Sequence, residues 1–370
     1  MDVGGNTPNG PFEEHLCKKA AAVGSPILGT FELNPTCNMN CNMCYVRMDQ
    51  RQVDALGGLK SEEFWLDMAK QCMDQGLLFL LLTGGEPLLY PHFKSLLSKL
   101  QKMGLYLTLN TNGTLIDEDM ARFFSEHMIR RLNITIYGKD DETYEKLCHN
   151  PKGFTQLKNA IALLNKYEVP VRLNCSITAQ NYEQLDDFYR IADEWGVPIE
   201  IAYYMFPPNR KQDRGEFNKY RMTPQQTAEI GYKIQTRRFS EAEKQEFLKY
   251  QLNRIENYTN PNKFHGGFYC RSGRCNFWIN WDGTLVPCGM MNGPKYNAAE
   301  EGFASCWERL KEDVSKICIS EKCFSCGKNE LCPHCAAGEV AECGEFGTTP
   351  SYHCETADAM VELFKRNLKE

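Results

Sequence analysis

No apolar run in this 370-residue chain approaches the ~20 residues needed to cross a bilayer, and the N-terminal segment lacks the apolar core of an export signal. A membrane protein is therefore not expected, and the cytoplasm is the expected compartment. Charge of one sign is also scarce. The 42 Lys and Arg nearly balance 48 Asp and Glu, for a net charge of −6, and no block of like charge stands out. That excludes the usual signature of a nucleic-acid or anionic-membrane surface and leaves a peptide or a small molecule as the expected partner. Repeats and low-complexity tracts are missing too, which excludes a solenoid. What the chain does have is cysteine, 18 in all. Disulfide scaffolds are small and secreted, so a long chain without an export signal points to metal binding instead. The thiols gather at Cys37–Cys44 and again from Cys270 to Cys354, on either side of a cysteine-poor middle.

Between Gly29 and Tyr204, apolar strand-like runs alternate with amphipathic stretches, the pattern of repeated βα units on a parallel sheet. Six strands are expected, at Thr30–Leu33, Leu78–Thr83, Leu105–Asn110, Arg131–Tyr137, Val171–Ile177 and Ile199–Tyr204, each continuously apolar as buried parallel strands tend to be. Helices are expected at Phe154–Tyr167 and through Phe93, Leu96, Leu97 and Leu100. The fold class is α/β, a partial (β/α)6 version of the TIM-like barrel followed by a cysteine-rich α+β region. In such barrels chemistry gathers at the C-terminal strand ends. Cys37–Cys44 follows the first strand, Thr83–Pro87 ends the second, Asn110–Gly113 the third and Tyr137–Gly138 the fourth. The expected organisation is an extension at 1–26, the barrel at 27–222, a charge-rich helical bridge at 223–262 and a cysteine-rich domain at 263–370. That last region has a hairpin signal around Trp281-Asp282-Gly283.

Cys37, Cys41 and Cys44 form C-x3-C-x2-C, three thiolates that can wrap one face of a cubane cluster while leaving one iron open. A zinc site with a distant fourth ligand is the alternative. The spacing and its place after the first strand resemble the radical SAM superfamily. The resemblance implies that the open iron takes S-adenosylmethionine and that its reductive cleavage gives a 5′-deoxyadenosyl radical. Gly84-Gly85-Glu86-Pro87 resembles the family's GGE element, whose small residues admit the ligand and whose acid receives the methionine ammonium. By the same resemblance Asn110 and Asn112 lie near the nucleoside and Thr135 near the ribose or carboxylate. Met43 stands where relatives commonly carry an aromatic residue against adenine.

The later cysteines resemble the SPASM extension of that superfamily, through C-x12-G-x4-C from Cys270 through Gly283 to Cys288 and then C-x2-C-x5-C from Cys323. Cys332-x2-Cys335 departs from the usual C-x3-C. The resemblance implies two auxiliary [4Fe–4S] clusters, three in all with the first. Cys270, Cys275, Cys288 and Cys335 would hold one, and Cys323, Cys326, Cys332 and Cys354 the other, with Cys343 an alternative to Cys354. A zinc ribbon is the rival. His334 and His353 can in principle bind metal, but as histidines beside cysteines they are expected at the surface. The six remaining cysteines, Cys17 and Cys148 among them, are expected to be ordinary thiols.

Relatives of this two-part build mostly modify peptides or proteins, so the expected reaction is hydrogen abstraction from a peptide that ends in a thioether, a carbon–carbon crosslink or an oxidation. A flavodoxin or ferredoxin would donate the electron, and a separate protein would read any leader peptide. Tetrapyrrole side-chain oxidation in cofactor biosynthesis, sulfatase maturation and a non-enzymatic electron-transfer or zinc-binding role are the alternatives. Sulfatase-maturing relatives carry an Asp after the cysteine that follows the hairpin, where this chain has Gly289. No residue identifies the general base or the substrate. Arg210, Lys211, Arg214, Tyr203 and Tyr204 are substrate contacts only if they are not solvated loop residues.

Overall fold

The computed structural model describes residues 10–208, 217–258, 270–329, 331–332 and 334–369. Six parallel strands form as the alternation requires: β1 (Leu28–Glu32), β2 (Phe79–Thr83), β3 (Tyr106–Thr111), β4 (Arg131–Ile136), β5 (Val171–Ser176) and β6 (Ile199–Ala202). The helices α2 (Gln50–Ala55), α3 (Glu62–Asp74), α4 (Phe93–Lys102), α5 (Glu118–Glu126), α6 (Asp141–Cys148), α7 (Gly153–Lys166) and α8 (Leu185–Trp195) lie between them. The fold is a partial (β/α)6 barrel with a cysteine-rich C-terminal region.

β1 and β2 are buried at every position, as expected of continuous apolar strands. β3, β4 and β5 instead alternate apolar and polar side chains. Leu107, Leu109, Leu132, Ile134, Ile136, Leu173 and Cys175 join the core beneath the helices. With a period of two, Thr108, Asn110, Asn133, Thr135, Asn174 and Ser176 occupy the opposite face of the sheet. That face is polar, and it is the one a barrel turns inward.

The sheet does not stop at β6 and β1. β7 (Asn276–Ile279) pairs in parallel with β1, and β8 (Thr284–Val286) and β9 (Tyr296–Asn297) follow antiparallel, giving the order β6-β5-β4-β3-β2-β1-β7-β8-β9. The hairpin read around Asp282-Gly283 is therefore an extension of the barrel sheet. Its Phe277, with Phe303 and Trp307 of a later helix (Phe303–Lys316), belongs to the same core as Phe31 and Trp65. The expected boundary at 262–263 lies outside the described residues. The bridge helices Pro224–Thr236 and Glu241–Glu256 pack on the C-terminal helix Ser351–Asn367 through Ala228, Tyr232, Leu248, Met360 and Phe364.

The segment read only as an extension contains a helix, α1 (Pro11–Val23), with Pro11 in its first turn, Glu13 and Glu14 near its N-terminus and Gly24 in the left-handed conformation that ends it. Glu13 pairs with Arg130 at 2.5 Å, Glu14 pairs with Arg271, and Cys17 packs on Leu28 and Phe79. Leu28 and Phe79 open β1 and β2, so α1 covers the strand ends opposite the cysteine loop.

Gly29 marks the tightest part of this arrangement, because a Cβ there would lie 2.5 Å from Phe277 Cζ and 2.9 Å from Leu77 Cδ1. Gly29→Ala should overpack the β1–β7 seam and cost about 1–3 kcal/mol. Urea denaturation should read this as a lower midpoint, and an unchanged midpoint would show that the seam yields without cost.

Candidate metal centres

The loop that follows β1 is fixed along two edges. On one, Leu33 N–H donates to Thr83 O at 2.8 Å, Gly85 N–H to Asn34 O at 2.7 Å and Glu86 N–H to Thr36 O at 2.8 Å. A Cβ on Gly84 would sit 2.4 Å from Asn34 O, and one on Gly85 2.4 Å from Thr36 O. The two glycines thus admit the backbone that leads into Cys37. The other edge is the C-terminus of α6, whose last carbonyls have no helical donor. Asn40 N–H reaches Cys148 O at 3.1 Å, Asn42 N–H reaches Leu147 O at 2.9 Å and Asn42 Nδ2 reaches Lys146 O at 2.9 Å. His149 Nε2 meets Asn42 Oδ1 at 2.9 Å. Asn40, Asn42, Cys148 and His149 were not singled out from sequence. The asparagines between the cysteines were the available signal.

So held, Cys37, Cys41 and Cys44 come into one electrostatic neighbourhood. Met39 N–H points at Cys37 Sγ at 3.4 Å, Arg47 N–H at Cys44 Sγ at 3.3 Å, and Asn112 Nδ2 lies 3.7 Å from Cys37 Sγ. Burial pushes the Cys37 thiol up to about 12, with the Met39 amide opposing. A hydrogen bond from the Cys148 thiol holds Cys41 below the ordinary thiol value against its own burial, and Cys148 itself is pushed up by burial and by Cys41.

Glu86 is fully buried. Its Oε1 accepts from Thr111 Oγ1 at 2.7 Å and Leu88 N–H at 3.1 Å, and its Oε2 accepts from Asn112 N–H at 2.8 Å, so the acid fastens the end of β2 to the end of β3. Burial raises it to about 7 despite these bonds. Pro87, next in sequence, is buried as well. Asn112 also bonds Asn38 Oδ1 at 2.9 Å, tying the third strand end to the cysteine loop. On the inner sheet face, Asn110 Oδ1 accepts from Asn133 Nδ2 at 2.8 Å, and Thr135 sits opposite Asn174 in register. The Asn174 side-chain carbonyl has no partner among the described residues. Met43 is half-buried against the core.

In the C-terminal region, Cys323, Cys326, Cys332 and Cys354 fall within one another's electrostatic reach, and burial with mutual repulsion pushes Cys323 up to about 11 and Cys332 up to about 12. Cys335 neighbours Cys270, and burial pushes it up to about 11. Cys275 neighbours both Cys270 and Cys17, and its thiol reaches toward Cys17 O at 3.6 Å. Cys288 Sγ receives Met290 N–H at 3.4 Å. No disulfide joins any of the cysteines among the described residues. A four-thiolate donor set fits an iron–sulfur cluster as well as zinc.

The histidines are not at the surface as expected. His334 pairs with fully buried Glu339 at 3.0 Å, and Ser320 N–H and Gly347 N–H hold the same carboxylate at 2.9 and 3.0 Å. Cys323, His334 and Glu339 bring their ligand atoms within 4.8 Å of one another. His353 is 1% exposed, and burial pushes it down to about 4. Tyr204 is also buried, donating to Glu342 Oε1 at 2.7 Å. Arg210, Lys211 and Arg214 lie outside the described residues.

Residues 31–194 match the family model described as the Radical SAM superfamily. Over 350 residues the chain is 25% identical to an AdoMet-dependent heme synthase of Methanosarcina barkeri, covering 88% of this chain and 95% of that one. It is 24% identical to the sporulation killing factor maturation protein SkfB of Bacillus subtilis, covering 83% of this chain and 70% of SkfB. Among solved structures it resembles SuiB of Streptococcus suis bound to precursor peptide SuiA, with a TM-score of 0.67 and 19% identity over 94% of this chain and 82% of SuiB.

Because Glu86 is raised from 4.5 to about 7 in the fold, its proton stabilises the folded state below pH 4.5, and that contribution is lost as pH rises through about 7. In the metal-free protein, Glu86→Gln should therefore gain stability relative to the parent between pH 4.5 and 8, by on the order of 3 kcal/mol. Parallel thermal melts across that range check it, and a constant difference between the two proteins would contradict it.

Proposed function

We propose that this chain, which matches the Radical SAM superfamily model over residues 31–194 and carries a cysteine-rich C-terminal region, is a radical SAM enzyme that abstracts hydrogen from a peptide substrate during post-translational modification. The product would be a thioether or carbon–carbon crosslink, or an oxidised residue. The observation that carries this reading is the pairing of a three-cysteine loop at the mouth of the barrel with a separate, half-buried four-thiol group in the C-terminal region. The first is a donor set that leaves a metal site open, and the second is one that closes it.

In this reading Cys37, Cys41 and Cys44 hold the cluster that binds S-adenosylmethionine. When bound, the two supply a 5′-deoxyadenosyl radical. Gly84, Gly85, Glu86 and Pro87 shape the methionine end, Asn110, Asn112 and Thr135 the nucleoside end, and Met43 packs beside adenine. Asn112, bonded to Asn38 and close to Cys37 Sγ, sets the loop against the end of β3. The polar inner face of β3–β5 orients the substrate, since hydrogen abstraction needs positioning more than an acid–base pair. Cys270, Cys275, Cys288 and Cys335 hold one auxiliary cluster, and Cys323, Cys326, Cys332 and Cys354 the other. Such clusters would provide a sink for the surplus electron, with a flavodoxin or ferredoxin as the expected donor of the first. The functional units are the barrel at 27–222, the bridge at 223–262 and the SPASM region at 263–370.

The peptide class is supported by the maturation role in the name of SkfB and by the precursor peptide bound to SuiB. Tetrapyrrole oxidation is the second reading, favoured by alignment along 95% of the M. barkeri heme synthase. Sulfatase maturation has less support: position 289 is Gly, and a Cβ there would lie 2.9 Å from the Trp278 ring, leaving no room for an acid unless Trp278 moves.

Mass spectrometry after anaerobic incubation separates the two main readings. A peptide encoded beside the gene should lose the mass of two hydrogens. Turnover of a tetrapyrrole with no change in the peptide would replace this proposal with the second reading. Cys37→Ala, Cys41→Ala and Cys44→Ala should each abolish 5′-deoxyadenosine formation and retain most of the iron. Cys323→Ala should lower iron and product while sparing unproductive S-adenosylmethionine cleavage. Retained cleavage in the first set, or unchanged iron in the last, would remove those cysteines from their roles.

A further inference from the structure

His353 takes no part in the roles above, yet it is among the most enclosed polar side chains of the C-terminal region, at 1% exposure. Neither ring nitrogen has a hydrogen-bond partner among the described residues. The Glu342 Oε1 atom lies 3.8 Å from Nε2, beyond hydrogen-bond reach. Burying an imidazole with nothing to bond is costly, so a missing acceptor is the physical expectation.

The surroundings say where that acceptor lies. One side of the ring is closed by Tyr204, edge to face at 4.8 Å between centroids. Another side meets Gly338, where a Cβ would stand 2.7 Å from His353 Cε1, 3.4 Å from Nε2 and 3.6 Å from Cys335 Sγ. The absent side chain of this helical glycine therefore lets the imidazole press against the helix backbone in space a Cβ would need, with the Cys335 sulfur within 3.6 Å of the same point. The backbone of His353 is tied to the second thiol group as well: its carbonyl accepts from the Cys332 thiol at 3.8 Å, and Cys354 follows in sequence.

We propose that His353 is a positioning residue for the auxiliary iron–sulfur site that includes Cys335, its ring admitted beside that site by Gly338 and its ring N–H donating a hydrogen bond to a sulfur there. The inference rests on the reading that Cys335 is a ligand of an auxiliary cluster. It needs no particular charge on the ring, because neutral imidazole and imidazolium both carry an N–H. A hydrogen bond to cluster sulfur favours the reduced, more negative state and so raises the reduction potential. The ring would also set the spacing of the two thiol groups, with its side chain against one and its backbone against the other.

The test uses the full chain, reconstituted anaerobically with iron and sulfide, and reads iron content, EPR-monitored reduction potentials and the nitrogen hyperfine coupling of protein labelled with 15N-histidine. The parent protein should show a weak 15N coupling to one reduced auxiliary cluster. His353→Leu should keep its iron, lose that coupling and lower the potential of that cluster by about tenfold in its reduction equilibrium constant, which is 59 mV for one electron. His353→Gln, which retains an N–H, should stay near the parent, and Gly338→Ala, whose Cβ would displace the ring, should move toward His353→Leu. Unchanged potentials in a folded His353→Leu protein would overturn the proposal, leaving the ring as packing against Tyr204. So would a strong coupling in the parent together with iron loss in the variant, which would make His353 a ligand. Should His353→Leu fail to fold, the parent's coupling decides: none, or a strong one, overturns the proposal. A parent that binds only one cluster's iron would instead refute the auxiliary-cluster reading, and this inference with it.

Discussion

The structure depends first on the close backbone contact between the loop after β1 and the end of β2. Gly85 and Glu86 donate to the carbonyls of Asn34 and Thr36, and neither Gly84 nor Gly85 has room for a Cβ. Every other feature of the mouth is referred to this seam. Glu86, fixed by it, takes Thr111 and Asn112 and so places the end of β3. Asn112 in turn reaches Asn38 and Cys37. On the far side the same loop satisfies the C-terminal carbonyls of α6 through Asn40 and Asn42. Three cysteines on an eight-residue stretch would otherwise sample many arrangements, and ordering them is an entropic cost met here by hydrogen bonds to rigid elements.

This seam extends what Gly84–Pro87 does. Small residues were expected there for the ligand's sake, yet the atoms pressed against the two glycines belong to the protein's own chain. A residue can serve both ends, bracing the loop from one side while facing a ligand from the other. The same economy appears in the C-terminal region, where Glu339 uses both oxygens to hold Ser320, His334 and Gly347 around the thiol group.

Much of this was legible in the sequence because it rests on periodicity and spacing. The six parallel strands, the helices near Phe93 and Phe154, the Asp-Gly hairpin and the bridge helices lie within a few residues of expectation. The polar inner face of β3–β5 was missed. Leu107, Leu109, Leu132 and Leu173 made those runs look apolar, although Asn110, Asn133 and Asn174 mark a period of two. α1 was passed over because its contacts are with residues far along the chain, Cys17 against Leu28 and Phe79 and the ion pairs with Arg130 and Arg271. The pairing of β7 with β1 joins residues about 250 apart in sequence, a distance local pattern cannot bridge. His334 and His353 were misplaced for a similar reason: a histidine beside cysteines carries no local signal of burial, which here comes from Glu339, Tyr204 and Gly338.

The central claim is that a radical begins at Cys37, Cys41 and Cys44. It is tested most directly by adding S-adenosylmethionine to the anaerobically reduced, reconstituted protein while following the cluster EPR signal and 5′-deoxyadenosine release. The account predicts that the signal of one cluster changes on addition and that 5′-deoxyadenosine accumulates. A spectrum indifferent to S-adenosylmethionine, with no 5′-deoxyadenosine formed, would contradict it.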